Sequence, residues 1–216
     1  MRINQYIARA TGMSRRQADE MVAGGRVMIN HISAAAGQQV ADGDVVMLDD
    51  KALSITADRT IMINKPVGYL VSRTAQGAPT IYELLPPDMA GLKPAGRLDK
   101  DSSGLLVMSN NGQVIHKFSH PSKNLWKVYQ VTLDRPLKLD HAKQLEKGVS
   151  LEDGISRLRI EIQPNHLTVQ LQEGRNRQIR RSFAALGYEV KTLHRTAIGN
   201  LKLADLASGR YQEIRA

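Results

Sequence analysis

Near residue 59 the hydrophobic pattern of this 216-residue chain changes period. Ahead of that point apolar residues recur at helical spacing. Beyond it they come in short runs of strand length, cut by Gly, Pro and Asn. Ile3, Ile7 and Ala10 predict a first helix stopped at Gly12. Ser14-Arg15-Arg16-Gln17 reads as a capping box opening a second helix, with Ala18, Met21 and Val22 on its apolar side and Gly24-Gly25 at its end. Short strands are expected at 26–30 and 45–48, with Asp42-Gly43 as turn chemistry between them, and the polar stretch 49–59 serves as a linker. The later part predicts strands at 60–64, 69–72, 105–109, 125–133 and 167–171. Asn110-Asn111-Gly112 reads as a turn, Asp140 as the cap of a helix through 147, and Asn176 as the cap of a helix through 186, stopped by Gly187. Strands joined by short turns with helices between them specify an α+β fold on a mainly antiparallel sheet. The expected division is 1–58 and 59–216.

The charge divides at the same place. Residues 1–58 hold 6 basic and 7 acidic side chains, whereas 59–216 hold 24 and 14, so the whole surplus of +9 lies in the second part. A strongly basic chain makes nucleic acid the first partner to consider. The chain has no cysteine, which removes disulfides, thiolate metal sites and thiol chemistry. Its six histidines show no metal-ligand spacing, and no glycine-rich phosphate loop occurs, so neither metal nor cofactor is expected. No apolar run is long enough for a membrane span, and Met1 leads into a charged amphipathic stretch instead of a signal peptide. The reading is a cytoplasmic protein that does not engage a membrane, and a monomer is the simplest expectation.

Three places concentrate chemistry. The stretch 96–106, Gly-Arg-Leu-Asp-Lys-Asp-Ser-Ser-Gly-Leu-Leu, packs acids, bases and hydroxyls between two glycines ahead of a buried-type strand. Asp and Ser are ordinary turn formers, but a carboxylate between Arg97 and Lys100 is also suited to act ionised, as nucleophile or base. Lys127 and Tyr129, two apart on a strand, share a face. Tyr129 either stacks on a base or packs across strands. On the expected helix from Asn176, Ile179, Phe183 and Leu186 fall on one side while Arg177 and Arg181 lie opposite, with Arg180 at the boundary. That charge run is either a solvated face or an anion site. Arg175, Arg177, Arg180 and Arg181 lie close together without an interleaved acid, so they repel one another unless an anion is present. Near the N-terminus, Arg15 and Arg16 sit beside the free amides of a helix start, which also favours an anion.

These segments resemble known motifs. The run MSRRQADEMVAGGRVMIN at 13–30 resembles the S4 RNA-binding domain, which implies phosphate contacts for Arg15, Arg16 and Arg26. Where that family usually turns with Asn-Gly, this chain has Asn30-His31, a departure that bears on the hairpin. GRLDKDSSGLL resembles the signature of the RsuA/RluB/RluF type of pseudouridine synthases, which isomerise uridine within folded RNA. INKPVG at 63–68, KVYQV at 127–131 and EGRNRQIRRSF at 173–183 resemble the family's other motifs, in the family's order. The resemblance implies a small S4 domain followed by a catalytic domain that needs no cofactor. It implies Asp99 as the essential carboxylate, Tyr129 as the active-site aromatic and Arg180 as the basic partner of Asp99. Arg97, Lys127, Arg175, Arg177 and Arg181 fall to the RNA backbone. The implied partner is ribosomal RNA or a ribosomal assembly intermediate, and RNRQIRR leans towards the large-subunit members. A non-catalytic assembly factor on the same fold is the alternative. A DNA-binding protein would need a recognition helix with a helix-turn-helix partner, and neither basic helix has one.

Overall fold

A computed structural model describes residues 1–55 and 57–215 of the chain; Thr56, in the expected linker, and Ala216 lie outside it. The N-terminal unit packs helices α1 (Ile3–Thr11) and α2 (Arg15–Ala23) on a small sheet of β1 (Val27–Ile29), β2 (Ile32–Ser33), β3 (Val46–Leu48) and β4 (Lys51–Ala52), ordered β2-β1-β3-β4. Gly12 closes α1 in the left-handed conformation at φ 78°. The capping box forms as expected, with Ser14 Oγ accepting from the Gln17 amide and Gln17 Oε1 from the Ser14 amide. Ile3, Ile7, Ala18, Val22, Val27, Ile29 and Val46 make a core of their own. The β1–β2 hairpin is built without glycine: Asn30 and His31 both adopt positive φ, 51° and 66°. The Asn30 side chain supports the turn from outside, accepting from Val45 N and donating to Asp44. Part of the expected linker is strand, since β4 pairs with β3.

The second unit is organised on one large sheet. Its strands are β5 (Thr60–Lys65), β6 (Lys93–Pro94), β7 (Ser103–Ser109), β8 (Lys127–Leu133), β11 (Arg159–Ile162), β12 (Leu167–Leu171), β13 (Val190–Ile198), β14 (Leu201–Lys202) and β15 (Tyr211–Glu213), with β9 (Val149–Leu151) and β10 (Gly154–Ser156) forming a separate hairpin. The main path runs β11-β12-β8-β13-β7-β5-β15. All the pairings are antiparallel except β7 with β13. Helices α3 (Gly112–Ser119), α4 (Leu139–Lys147) and α5 (Gln178–Ala184) cover the sheet. Strands β5 and β7 are buried on both faces, which is why they read as nearly continuous buried-type runs. Ile61, Ile63, Leu106 and Met108 enter one core, and their alternating neighbours Met62, Leu105 and Val107 enter the other.

Several expectations change. Residues 69–72 form no strand, only a single bridge between Leu70 and Thr80. Asn111 is a helix cap, its side chain accepting from Gln113 N at the head of α3, so the Asn-Asn-Gly signal marked a start and not just a turn. Lys138, not Asp140, occupies the cap position of α4, and Asp140 lies in its first turn, where its charge suits the helix dipole. The longest strand, β13, was not anticipated, because Lys191, Thr192, His194, Arg195 and Thr196 interrupt its apolar pattern. The two units are pinned together by Lys93, which donates to Met13 O at 2.9 Å, and by Asp58, which pairs with Arg9 and accepts from Asn111 Nδ2 at 2.6 Å.

Candidate active site

The loop that follows β6 carries the Asp99 motif and runs into β7. Gly96 turns at φ 87°, and Leu98 drops into the core with 7% exposure. Burying Leu98 rotates its neighbour Asp99 outward, into a cavity of about 300 Å³. The loop is held from beneath. Ser102 N donates to Asp99 O at 3.1 Å, and Gly68 N, from the 63–68 motif, donates to Lys100 O at 2.8 Å. Lys65 at the end of β5 is fully buried and donates to Ser102 O and Pro66 O at 2.7 and 3.0 Å. Burial lowers its pKa to about 8, against the raising effect of Asp101 and Asp99, with Arg195 adding to the lowering. Lys65 belongs to a recognised motif, but no feature of the sequence distinguishes it from a solvated lysine.

Gly104 explains the second glycine of the motif. It sits at φ 106° where β7 runs beside β13, and a Cβ there would lie 2.2 Å from Arg195 O. Only glycine permits that approach.

The cavity gathers Asp99, Arg97, Lys127, Tyr129, Arg175 and Arg177. Lys127 and Tyr129 share a face of β8 as expected, Tyr129 being 8% exposed. Lys127 Nζ donates to Gln172 O at 3.0 Å and Glu173 O at 3.3 Å; burial first, then the Arg195 charge, lower its pKa.

The arginines are distributed differently from expectation. Arg180 does not partner Asp99. Its guanidinium turns inward beneath the loop, donating to Asp101 O and Val190 O at 2.8 and 2.7 Å, with Nε 3.2 Å from the Asp101 carboxylate. The cation nearest Asp99 is Arg177, at 3.8 Å, and it also grips Asp101 through two hydrogen bonds of 3.1 and 3.0 Å. The reason is the helix start. The helix begins at Gln178 rather than after Asn176, and Arg177 occupies its cap in the left-handed conformation at φ 47°. That backbone turn aims its side chain back at the Asp99–Asp101 loop. Burial works against charge on Asp101, but the Arg177 hydrogen bonds and both arginine charges outweigh it and hold the carboxyl below its usual range.

Ile179 and Phe183 are buried as expected, and Leu186 packs at the edge of the core. Gln178 and Ser182 are buried too, tied to Ser156 Oγ at 3.0 and 2.9 Å. Arg175 and Arg181 both pair with Asp153, at 2.9 and 2.7 Å. In the N-terminal unit, Arg15 donates to Asn4 at 3.1 Å, Arg26 pairs with Asp49, and Arg16 is exposed.

Arg195 is the residue that motif reading missed. It lines the same cavity, is 3% exposed, donates to Leu105 O at 2.8 Å and approaches the Tyr129 hydroxyl at 3.3 Å. An arginine flanked by His194 and Thr196 gives no signal until the strand is placed beside Tyr129.

A nucleotide-sized, cation-lined cavity around Asp99 and Tyr129, with Glu173 also in its lining, behind an S4-like unit, is what an RNA-modifying enzyme requires. Residues 1–46 match the model of the S4 domain, and residues 59–185 match that of RNA pseudouridylate synthase. The chain belongs to that family of isomerases, which turn uridine into pseudouridine. It is 36% identical over 222 residues to the ribosomal small subunit pseudouridine synthase A of Escherichia coli K12, covering 99% of this chain and 96% of the relative. It is 33% identical to the dual-specificity RNA pseudouridine synthase RluF of the same organism, covering 99% of this chain but 75% of the relative. A crystal structure described as pseudouridylate synthase superposes with a TM-score of 0.71 at 31% identity, covering 100% of this chain and 96% of the other.

Proposed function

We propose that the protein isomerises a specific uridine of ribosomal RNA, in the cytoplasm and as a monomer, and that the RNA lies in the small subunit. The lean towards large-subunit RNA finds no support among these relatives. The small-subunit synthases are coextensive with this chain, whereas RluF is longer. Asp99 carries the reading: a carboxylate lining an open cavity, 3.8 Å from Arg177, with Tyr129 in the same lining.

The reaction requires the uridine to leave its stack, because C1′ and C5 are inaccessible within a helix. The flipped base enters the cavity against Tyr129. Asp99 then breaks the glycosidic bond, by attacking the nucleotide or by taking a sugar proton, and the base turns and rejoins through C5. Arg177 orients the carboxylate and keeps it ionised. Arg180 serves one step further back, holding Asp101 and thereby the loop.

A second cleft, of about 860 Å³, opens between the two units and is lined by Arg9, Arg15, Lys93, His116, Lys117 and Lys123 without any acid. It gives flanking RNA a path from the S4 unit, with Arg15, Arg16 and Arg26, towards the rim at Arg97 and Arg175. The domain seam near residue 58 falls beside this cleft. Mapping pseudouridines in small-subunit RNA of a deletion strain, by chemical modification and primer extension, tests the reading. One missing pseudouridine, restored by the gene, supports it. An unchanged map favours the non-catalytic assembly factor.

A further inference from the structure

Arg195 is a buried cation whose guanidinium has two polar partners among the described residues, and neither is a carboxylate. Nε donates to the Leu105 carbonyl at 2.8 Å and Nη1 to the Tyr129 hydroxyl at 3.3 Å. Nη2 has no partner at all, and neither does Ser102 Oγ, in another residue of the same cavity wall. The fold goes to some length to keep this charge in place. Arg195 stands opposite Tyr129 in the β8–β13 register, a bulge follows immediately between Arg195 and Ala197, and Gly104 gives up its side chain to the Arg195 backbone. Bulges of this kind re-aim a side chain next to a site. Burying an unpaired charge is unfavourable unless something complements it. Arg177 serves the acids of the loop; Arg195 serves none, yet lies behind the tyrosine that faces the base.

We propose that Arg195 stabilises the negative charge that the uracil ring carries between breakage of its bond to N1 and formation of the bond to C5. This rests on the pseudouridine synthase reading. When the C1′–N1 bond breaks, both electrons leave with the ring. They are replaced at C1′ either by the Asp99 carboxylate or by the C2′–H pair once Asp99 has taken that proton. The detached ring is therefore an anion by either route. Rejoining through C5 consumes that charge as the Asp99 carboxylate leaves C1′, or as Asp99 returns its proton to C2′; the C5 proton then departs to solvent and N1 takes one up, so the product is an isomer of the substrate and Asp99 is regenerated. A fixed cation in a water-poor wall is already oriented for such a charge and does not have to reorganise. Its field is felt by its neighbours, since the charge on Arg195 contributes to the lowered pKa of both Lys65 and Lys127.

The test compares two nucleotides and two variants. Native protein should bind 6-hydroxyuridine 5′-monophosphate, whose ring is an anion at neutral pH, at least about tenfold more tightly than uridine 5′-monophosphate by calorimetry. Arg195→Met should abolish that preference and Arg195→Lys should retain most of it. In tritium release from small-subunit RNA labelled at uridine C5, Arg195→Met should lower kcat about 100-fold, with KM changed less than threefold, and Arg195→Lys should recover at least tenfold of that loss. Equal binding of the two nucleotides by native protein, or binding of neither, overturns the proposal, as does equal kcat in the Lys and Met variants. The nucleotide comparison uses native protein and so stands even where Arg195→Met fails to fold. Absence of tritium release by native protein would instead count against the enzymatic reading itself.

Discussion

Asp99 and Asp101, two residues apart in one loop, are given different tasks by their surroundings. Asp101 accepts two hydrogen bonds from Arg177 and forms an ion pair with Arg180, whose Nε lies 3.2 Å away, so it behaves as a structural anchor. Asp99 keeps a looser 3.8 Å relation to Arg177 and faces the cavity. Asp101→Asn should therefore cost about tenfold or more in kcat by releasing Arg177, with RNA affinity nearly unchanged; tritium release and filter binding on one preparation separate the two. Lys65 gives a second test at this scale. With its pKa lowered to about 8 in the folded state, the unfolded chain binds more protons between that value and the ordinary lysine value. The cost of burying its charge is thus complete below pH 8 and is relieved as pH rises. Native protein should gain about 2–3 kcal/mol relative to Lys65→Met between pH 7 and pH 10, read from urea unfolding at each pH. The positions of Asp99 and Tyr129 were legible as motif residues. The exchange between Arg177 and Arg180 was not, because it depends on a single left-handed residue at the head of a helix. Arg180 does reach inward, as its boundary position on the helix suggests, but the place beside Asp99 that the resemblance implied for it is taken by Arg177.

Elements with one unmixed period were the legible ones. Helix α2 declares itself by its capping box, and β12 by an alternation in which Leu167, Val169 and Leu171 share the buried face. Strand β13 was hidden because it is a central strand that carries polar chemistry: His194 bonds to Ser103, and Arg195 reaches the tyrosine. It is also the parallel neighbour of β7, a long-range pairing that local patterns do not encode. That pairing makes Gly104 the most sensitive position in the element. Gly104→Ala places a methyl group 2.2 Å from a backbone oxygen and forces the two strands apart. The expected loss is about 3 kcal/mol or more of unfolding free energy, measured by urea denaturation, together with loss of activity. Gly25 is a control: it also has positive φ, but nothing lies within 4 Å of its added Cβ, so Gly25→Ala should cost about 1 kcal/mol of backbone strain and little else.

At the scale of the whole molecule, the change of hydrophobic period near residue 59 and the surplus of positive charge beyond it were both visible in the sequence. What the charge surrounds was not. Much of the arginine run at 175–181 is occupied internally, since Arg175 and Arg181 share Asp153 and Arg180 is turned beneath the loop. Positive charge with no acid in its own lining lies instead in the cleft between the units, assembled from residues far apart in the chain, although Arg9 there is paired with Asp58. Binding of RNA there should be strongly salt-dependent, with affinity falling at least about tenfold between 50 and 200 mM salt for even two phosphate contacts. Lys117→Ala and Lys123→Ala should weaken binding and flatten that slope, leaving the chemical step on bound RNA intact. The central claim, that Asp99 is the reacting carboxylate of a uridine isomerase, is tested most directly by tritium release from small-subunit RNA labelled at uridine C5. Native protein should release tritium and Asp99→Asn should release none while binding the same RNA with native affinity. Full release by Asp99→Asn would contradict the account.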